Sequence, residues 1–177
     1  MSRALSLRNR QRIRPVDAAL LRRITRCLLS EHLRLADFEL CLHLVAAPEM
    51  AWLNECFLKH AGPTDVITFD YANDPLGEAT TPRRMGNGRQ KPATRRGPRA
   101  PPMRGELFIC LDEAVAQARQ FRTTWQREVV RYVIHGLLHL RGYDDLQPAC
   151  RHLMRLQENR LLRQISRRFC LTQLGTP

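Results

Sequence analysis

The sequence predicts an α+β fold, a small mixed β-sheet of about four strands covered by helices. Three observations predict it. Short stretches alternate apolar and polar residues with period two, as strands do; longer stretches carry apolar residues at i, i+3, i+4 and i+7, as core-facing helices do. The two kinds are interspersed along the chain. At 177 residues and 44% hydrophobic content, the chain reads as a single domain over residues 1–177 with enough apolar surface for one core.

The elements follow in order. Leu5 to Ile13, LSLRNRQRI, alternates loosely and is expected as a short edge strand. Pro15 suits the first turn of a helix, and Asp17 to Leu33 has amphipathic spacing. In FELCLHLVA, Phe38, Leu40, Leu42 and Leu44 share one strand face, which sets His43 on the other, where an ordinary surface or second-layer role is expected rather than ligation. Pro48 opens a further helix that ends by Gly62. DVITFDY, Asp65 to Tyr71, is β-branched and aromatic and reads as a strand, with GELFICL, Gly105 to Leu111, as its neighbour. Asp112 is placed to cap a helix running to Phe121. A histidine-bearing helix follows, and Leu146 to Phe169 forms the last helix, packing its Leu153, Leu156, Leu161 and Ile165 side with its arginines solvated.

Charge is the strongest statement of the composition. Lys and Arg total 29 against 17 Asp and Glu, a net charge of +12, which favours polyanions and above all nucleic-acid phosphates as partners. Half of that net charge lies in residues 72–104, where Arg83, Arg84, Arg89, Lys91, Arg95, Arg96, Arg99 and Arg104 face only Asp74 and Glu78. Rich in Pro and Gly and poor in large apolar residues, this segment reads as a disordered basic insertion. It is either an arm that grasps RNA with salt-sensitive affinity or a tolerated loop expansion. The six cysteines, at positions 27, 41, 56, 110, 150 and 170, have no C-x-x-C spacing and read as reduced, mostly buried thiols. No apolar run is long enough for a membrane span, and the N-terminus lacks the apolar core of a secretory signal, so a cytoplasmic enzyme without membrane contact is expected.

The chemistry concentrates in VIHGLLHLRGYDD, Val133 to Asp145. Residues four apart on a helix lie about 40° apart around the axis and about 6 Å along it, so His135 and His139 can reach one ion. Gly142 is placed for a left-handed cap that turns the chain back and delivers Asp144 or Asp145 toward the histidines. Two imidazoles, a carboxylate and water make the coordination of a catalytic zinc. A histidine pair on an apolar helix is also met as satisfied core residues; the glycine turn with its carboxylates favours the metal. This spacing is shared with metzincin peptidases, but those place a glutamate directly after the first histidine as general base, and here Gly136 stands in that position.

These residues resemble the YbeY family of bacterial endoribonucleases, or rRNA maturation factors, whose pattern H-G-x-L-H-L-x-G-Y-D-H appears as HGLLHLRGYDD at His135 to Asp145. An L-N followed by a P-T-D-V strand appears as LNECFLKHAGPTDVITF, Leu53 to Phe69, and a G-D-I-like strand as GELFI, Gly105 to Ile109. The resemblance implies one Zn2+ ion held by His135, His139 and Asp145, the last standing where the family has a third histidine. It implies single-stranded RNA, in particular rRNA precursors, as substrate, and ribosome quality control as context, with a ribosomal subunit as a further partner. Asp144 takes a second-layer or turn-supporting role, and Thr64 and Asp65 a positioning role near the cleft. Gly136 either leaves room over the metal for a phosphate or lets the helix pack closely on the sheet. A family arginine after the L-N pattern is replaced by Leu58, leaving Lys59 beside it and Arg104 as phosphate-binding candidates. Metal-activated water is then the nucleophile and no general base stands out. The alternatives are a non-catalytic RNA- or ribosome-binding factor with a structural metal, and another zinc hydrolase such as a peptidase, which Gly136 disfavours.

Overall fold

The structure, a computed structural model, describes residues 2–72 and 102–175. Its elements are β1 (Arg3–Asn9), α1 (Ala18–Cys27), β2 (Phe38–Val45), α2 (Ala47–Leu53), β3 (Val66–Asp70), β4 (Met103–Cys110), α3 (Leu111–Gln120), α4 (Trp125–Leu140) and α5 (Pro148–Arg168). The sheet order is β1-β2-β4-β3. β1, β2 and β4 are parallel, and β3 is an antiparallel edge on β4, so the sheet is mixed as expected.

The sheet has two covered faces. Leu40, Leu42 and Leu44 of β2 and Leu107 and Ile109 of β4 point into the larger core under α1 and α4. The opposite parity, Val45, Phe108 and Cys110 with Ile67 and Phe69 of β3, packs under Met50 and Leu53 of α2. Parallel sheets bury both faces, and His43 therefore lies 4% exposed inside the second layer rather than at the surface.

Several boundaries and faces differ from expectation. β1 begins and ends earlier than Leu5–Ile13, because its register against Phe38–Leu44 sets its extent, after which Gln11 bonds back to Ile13 and Arg14 in a turn. α1 starts after Asp17, whose side chain accepts from the Leu20 N–H, and its tail loosens into a π-helical turn over Leu28–His32. Asp112 does not cap its own helix: α3 begins at Leu111, and the Asp112 carboxylate instead accepts from Ala47 N–H at 2.6 Å, capping α2 across the fold. α5 buries Met154, Glu158, Leu161, Leu162 and Ile165, while Leu153 and Leu156 are exposed. Met103 and Arg104, read as the end of the insertion, belong to β4; positions 73–101 of that segment lie outside the described residues. All six cysteines are free; Cys27 and Cys110 are buried, whereas Cys56 and Cys170 are exposed.

Two glycines set the distance between α4 and the sheet. A Cβ at Gly136 would stand 2.7 Å from Leu107 Cδ2, and one at Gly105 would collide with the Phe69 carbonyl oxygen and with Leu140. Of the two uses considered for Gly136, the structure supports close packing on β4.

Candidate metal centre

α4 is capped by Thr124, whose side chain accepts from the Arg127 N–H, and its apolar stripe of Val129, Val130, Val133, Ile134 and Leu137 is buried. The histidines ride at the margin of that stripe. Their rings meet edge to face, with His135 Nε2 and His139 Nε2 3.0 Å apart. α4 ends in a turn in which Gly142 (φ +84°) takes the left-handed conformation, with its N–H donating to the His139 carbonyl and that of Tyr143 to Leu138. This turn returns Asp145 to the pair, its Oδ2 4.0 Å from His135 Nε2. Ligand atoms of His135, His139 and Asp145 all lie within 4.8 Å of one another.

The far nitrogen of each ring is occupied. His135 Nδ1 lies 3.2 Å from Glu158 Oε2 of α5, and His139 Nδ1 lies 3.1 Å from the Tyr143 carbonyl. A carbonyl and a carboxylate can only accept, so both Nδ1 atoms donate. That leaves each neutral imidazole with its lone pair on Nε2, and the two lone pairs converge. Such a pair repels unless a proton or a cation sits between, and two nitrogen ligands at about 2.0–2.1 Å on a tetrahedral ion stand roughly 3.3 Å apart. The residues therefore fit a divalent cation held by two imidazoles and a carboxylate. A carboxylate or carbonyl behind each ligating histidine also fixes its tautomer and raises its basicity.

Charge around the pair is asymmetric. Burial opposes protonation of His135, but the Glu158 bond and the carboxylates of Asp65, Glu158 and Asp145 outweigh it and raise its pKa. Burial and the neighbouring His135 lower that of His139. Burial would raise Glu158, yet its bonds to His135 and Arg131 prevail and hold it ionised. Arg131 is the hub of this support, reaching Glu158 at 2.6 Å and Glu128 at 3.2 Å.

A cavity of about 750 Å³ opens beside His135, with Thr64, Asp65, Arg127, Arg131 and Tyr132 in its wall. Thr64 donates to Asp65 Oδ1, which also accepts from the Val66 N–H, so this pair is set at the start of β3 beside the cavity. Asp144 is exposed and accepts from the Leu146 N–H, so it shapes the turn. Lys59 ends the turn after α2 in the left-handed conformation and is not in the cavity wall. Arg104 shares its strand parity with Glu106 and Phe108, which puts it on the sheet face away from α4. Sequence reasoning missed Glu158, Arg127 and Arg131. For Glu158 a signal existed: it is the one carboxylate on the apolar stripe Met154, Leu161, Ile165 of α5.

A family model described as Endoribonuclease YbeY matches residues 6–166. The chain belongs to the YbeY family. A Salinibacter ruber protein named endoribonuclease YbeY is 36% identical over 113 residues, 64% of this chain and 61% of that protein. A Chloroflexus aggregans protein of the same name is 32% identical over 163 residues, 92% of this chain and 90% of its own length. The match thus spans less than two thirds of the Salinibacter relative and nearly all of the Chloroflexus one. A solution structure of a Thermotoga maritima protein aligns with a TM-score of 0.54 at 23% identity, covering 91% of this chain and 88% of that one, which supports the fold. Among the described residues of this YbeY-family chain, no helix is long and apolar enough to cross a membrane.

Proposed function

We propose that this chain is a single-domain, zinc-dependent endoribonuclease of the cytoplasm that cuts single-stranded RNA, with rRNA precursors as substrate and rRNA maturation and ribosome quality control as its setting. The observation that carries the reading is the convergence of two Nε2 atoms and Asp145 at the edge of a cavity, with both Nδ1 atoms already engaged. The YbeY relatives are named endoribonucleases, and a net charge of +12 suits an RNA partner.

In this reading His135, His139 and Asp145 hold the ion, and Glu158 and the Tyr143 carbonyl engage the two Nδ1 atoms and so keep both Nε2 atoms aimed at it. When bound, zinc supplies Lewis acidity toward a phosphoryl oxygen and acidifies water near neutral pH. Arg127 and Arg131 in the cavity wall offer guanidinium donors to a phosphodiester, in addition to the Lys59 and Arg104 candidates. A carboxylate ligand brings a negative charge that a third imidazole would not, which reduces the acidification and admits harder ions such as manganese. Asp145 in place of the family's third histidine, and Leu58 in place of its arginine, favour as a second reading an RNA-binding factor whose metal is structural.

The test is metal content by plasma mass spectrometry together with RNA cleavage, on wild type, His135→Ala, His139→Ala and Asp145→Ala. One zinc equivalent lost with cleavage in all three supports the enzyme. Metal bound without cleavage by the wild type supports the binding factor, and metal retained in Asp145→Ala removes Asp145 from the ligand set.

A further inference from the structure

The covered second face of the sheet holds another group of ligand-type side chains. Cys41 and His43 are two apart on β2 and so point the same way; Glu106 of β4 is the register partner of Cys41. Cys41 Sγ, a His43 ring nitrogen and a Glu106 carboxylate oxygen lie within 4.8 Å of one another. Nothing in the proposed ribonuclease chemistry uses them, since α4 and its histidines lie on the other face.

His43 is the independent sign that something belongs there. The residue is 4% exposed, its ring is stacked on Phe108 with centroids 4.2 Å apart and planes at 6°, and neither Nδ1 nor Nε2 has a hydrogen-bond partner. Nε2 faces Glu106 Oε2 at 3.5 Å without forming a bond. An unpartnered polar atom in an interior costs about 1–3 kcal/mol. Stacking fixes the plane of the ring, with Nε2 directed toward Glu106.

We propose that Cys41, His43 and Glu106 form a second metal site, for a thiophilic divalent ion of the zinc class. A thiolate, an imidazole and a carboxylate with one position left for solvent is a zinc ligand set, and sulfur selects against magnesium or calcium. Charge balances: Cys41, losing its thiol proton on ligation, and Glu106 bring two negative charges to a dication. Charged groups on this face among the described residues include Arg8, the register partner of His43, Arg10, which is drawn toward Glu49 at 2.6 Å and the Phe108 ring, and the register pair Glu39 and Arg104. Burial, with Arg10 and Arg8 adding to it, pulls the His43 pKa down to about 4. Tyr71 stands near Glu106 and Cys41 at the open side.

The experiment is titration of the metal-free full chain with Co2+, read by equivalents bound and by the near-ultraviolet thiolate-to-cobalt charge-transfer band. The α4 site has no sulfur, so this band reports the second site alone. The wild type is expected to bind two equivalents and show the band. Cys41→Ser should abolish the band and one equivalent, and His43→Phe, which keeps the stack on Phe108, should weaken that equivalent at least tenfold. His135→Ala should remove the other equivalent and leave the band intact. A single equivalent with no band overturns the proposal, as does a band that survives Cys41→Ser and so comes from another cysteine. Failure of the α4 site would show separately, as an unchanged titration in His135→Ala.

Discussion

Gly136 and Gly105 test how tightly α4 must lie on the sheet. Alanine gains about 1 kcal/mol over glycine inside a helix, yet at Gly136 its methyl would press on Leu107, which is fully buried and has little room to yield. Overpacking of this kind costs about 1–3 kcal/mol, so Gly136→Ala is expected to be destabilising by up to about 2 kcal/mol in urea unfolding, and Leu107→Val to relieve it in the double variant. Gly105→Ala should cost more, because the atom it meets first is the Phe69 carbonyl, and a backbone paired in a sheet cannot step aside. Equal costs for the two would show that the helix floats over the strand. Cys110 makes a second prediction at this scale. Burial pushes its thiol up to about 11 from an ordinary value of 9.0. The unfolded thiol therefore loses its proton first, and the unfolded state binds fewer protons between those values. Its contribution is fully present below about pH 9 and is lost as pH rises toward about 11, by roughly 2–3 kcal/mol. Comparing urea midpoints of wild type and Cys110→Ala across that window should show a shallower alkaline loss in the variant.

At the scale of elements, the candidate metal centre is a contact between α4 and α5. α4 presents the imidazoles, but α5 supplies Glu158, which orients His135 and holds Arg131. Removing a partner behind a metal ligand typically lowers metal affinity about 10–100-fold. Glu158→Ala is therefore expected to weaken zinc by that factor in chelator competition. Glu158→Gln, which can still accept from Nδ1, should retain more of the affinity. Unchanged affinity in both would mean that the Tyr143 carbonyl and helix packing alone position the pair. The Asp112 contact has the same character, a side chain of α3 capping α2; neither partner could be paired from their separation in sequence.

For the whole molecule the question is where the basic charge acts. Tyr71 N–H donates to the Arg104 carbonyl at 2.8 Å, so the chain leaves β3 and re-enters β4 at adjacent points. A short glycine-containing turn in place of residues 73–101 should accordingly preserve the fold and the zinc stoichiometry. If the replaced basic residues touch RNA, the slope of log affinity against log salt should flatten by about 0.7 for each single-strand phosphate they had neutralised. An unchanged slope would assign RNA affinity to the described surface, with the cavity arginines the first candidates. Cleavage itself should disappear on chelation and return with zinc, and the thermal midpoint should fall and recover with it, because an ion that binds only the folded chain stabilises it by mass action.

Much was legible before any coordinates. The i, i+4 histidine pair, the Gly142 turn and the strands around Leu42 and Leu107 follow from local spacing, because helix and strand periods are set by the backbone itself. The YbeY pattern lies in the same local stretches. What the chain order could not convey was pairing at a distance. His43 reads as a surface or second-layer residue on the strand face opposite the leucines, yet the fold holds it 4% exposed on that face, stacked on Phe108 beside Cys41 and Glu106. Glu158 reads as one more charge on a basic helix, yet it closes the hydrogen bond that aims His135. The sequence alone determined which residues share a face. Tertiary structure decided which faces meet, because burial and ligand geometry come from elements packed together from separate parts of the chain.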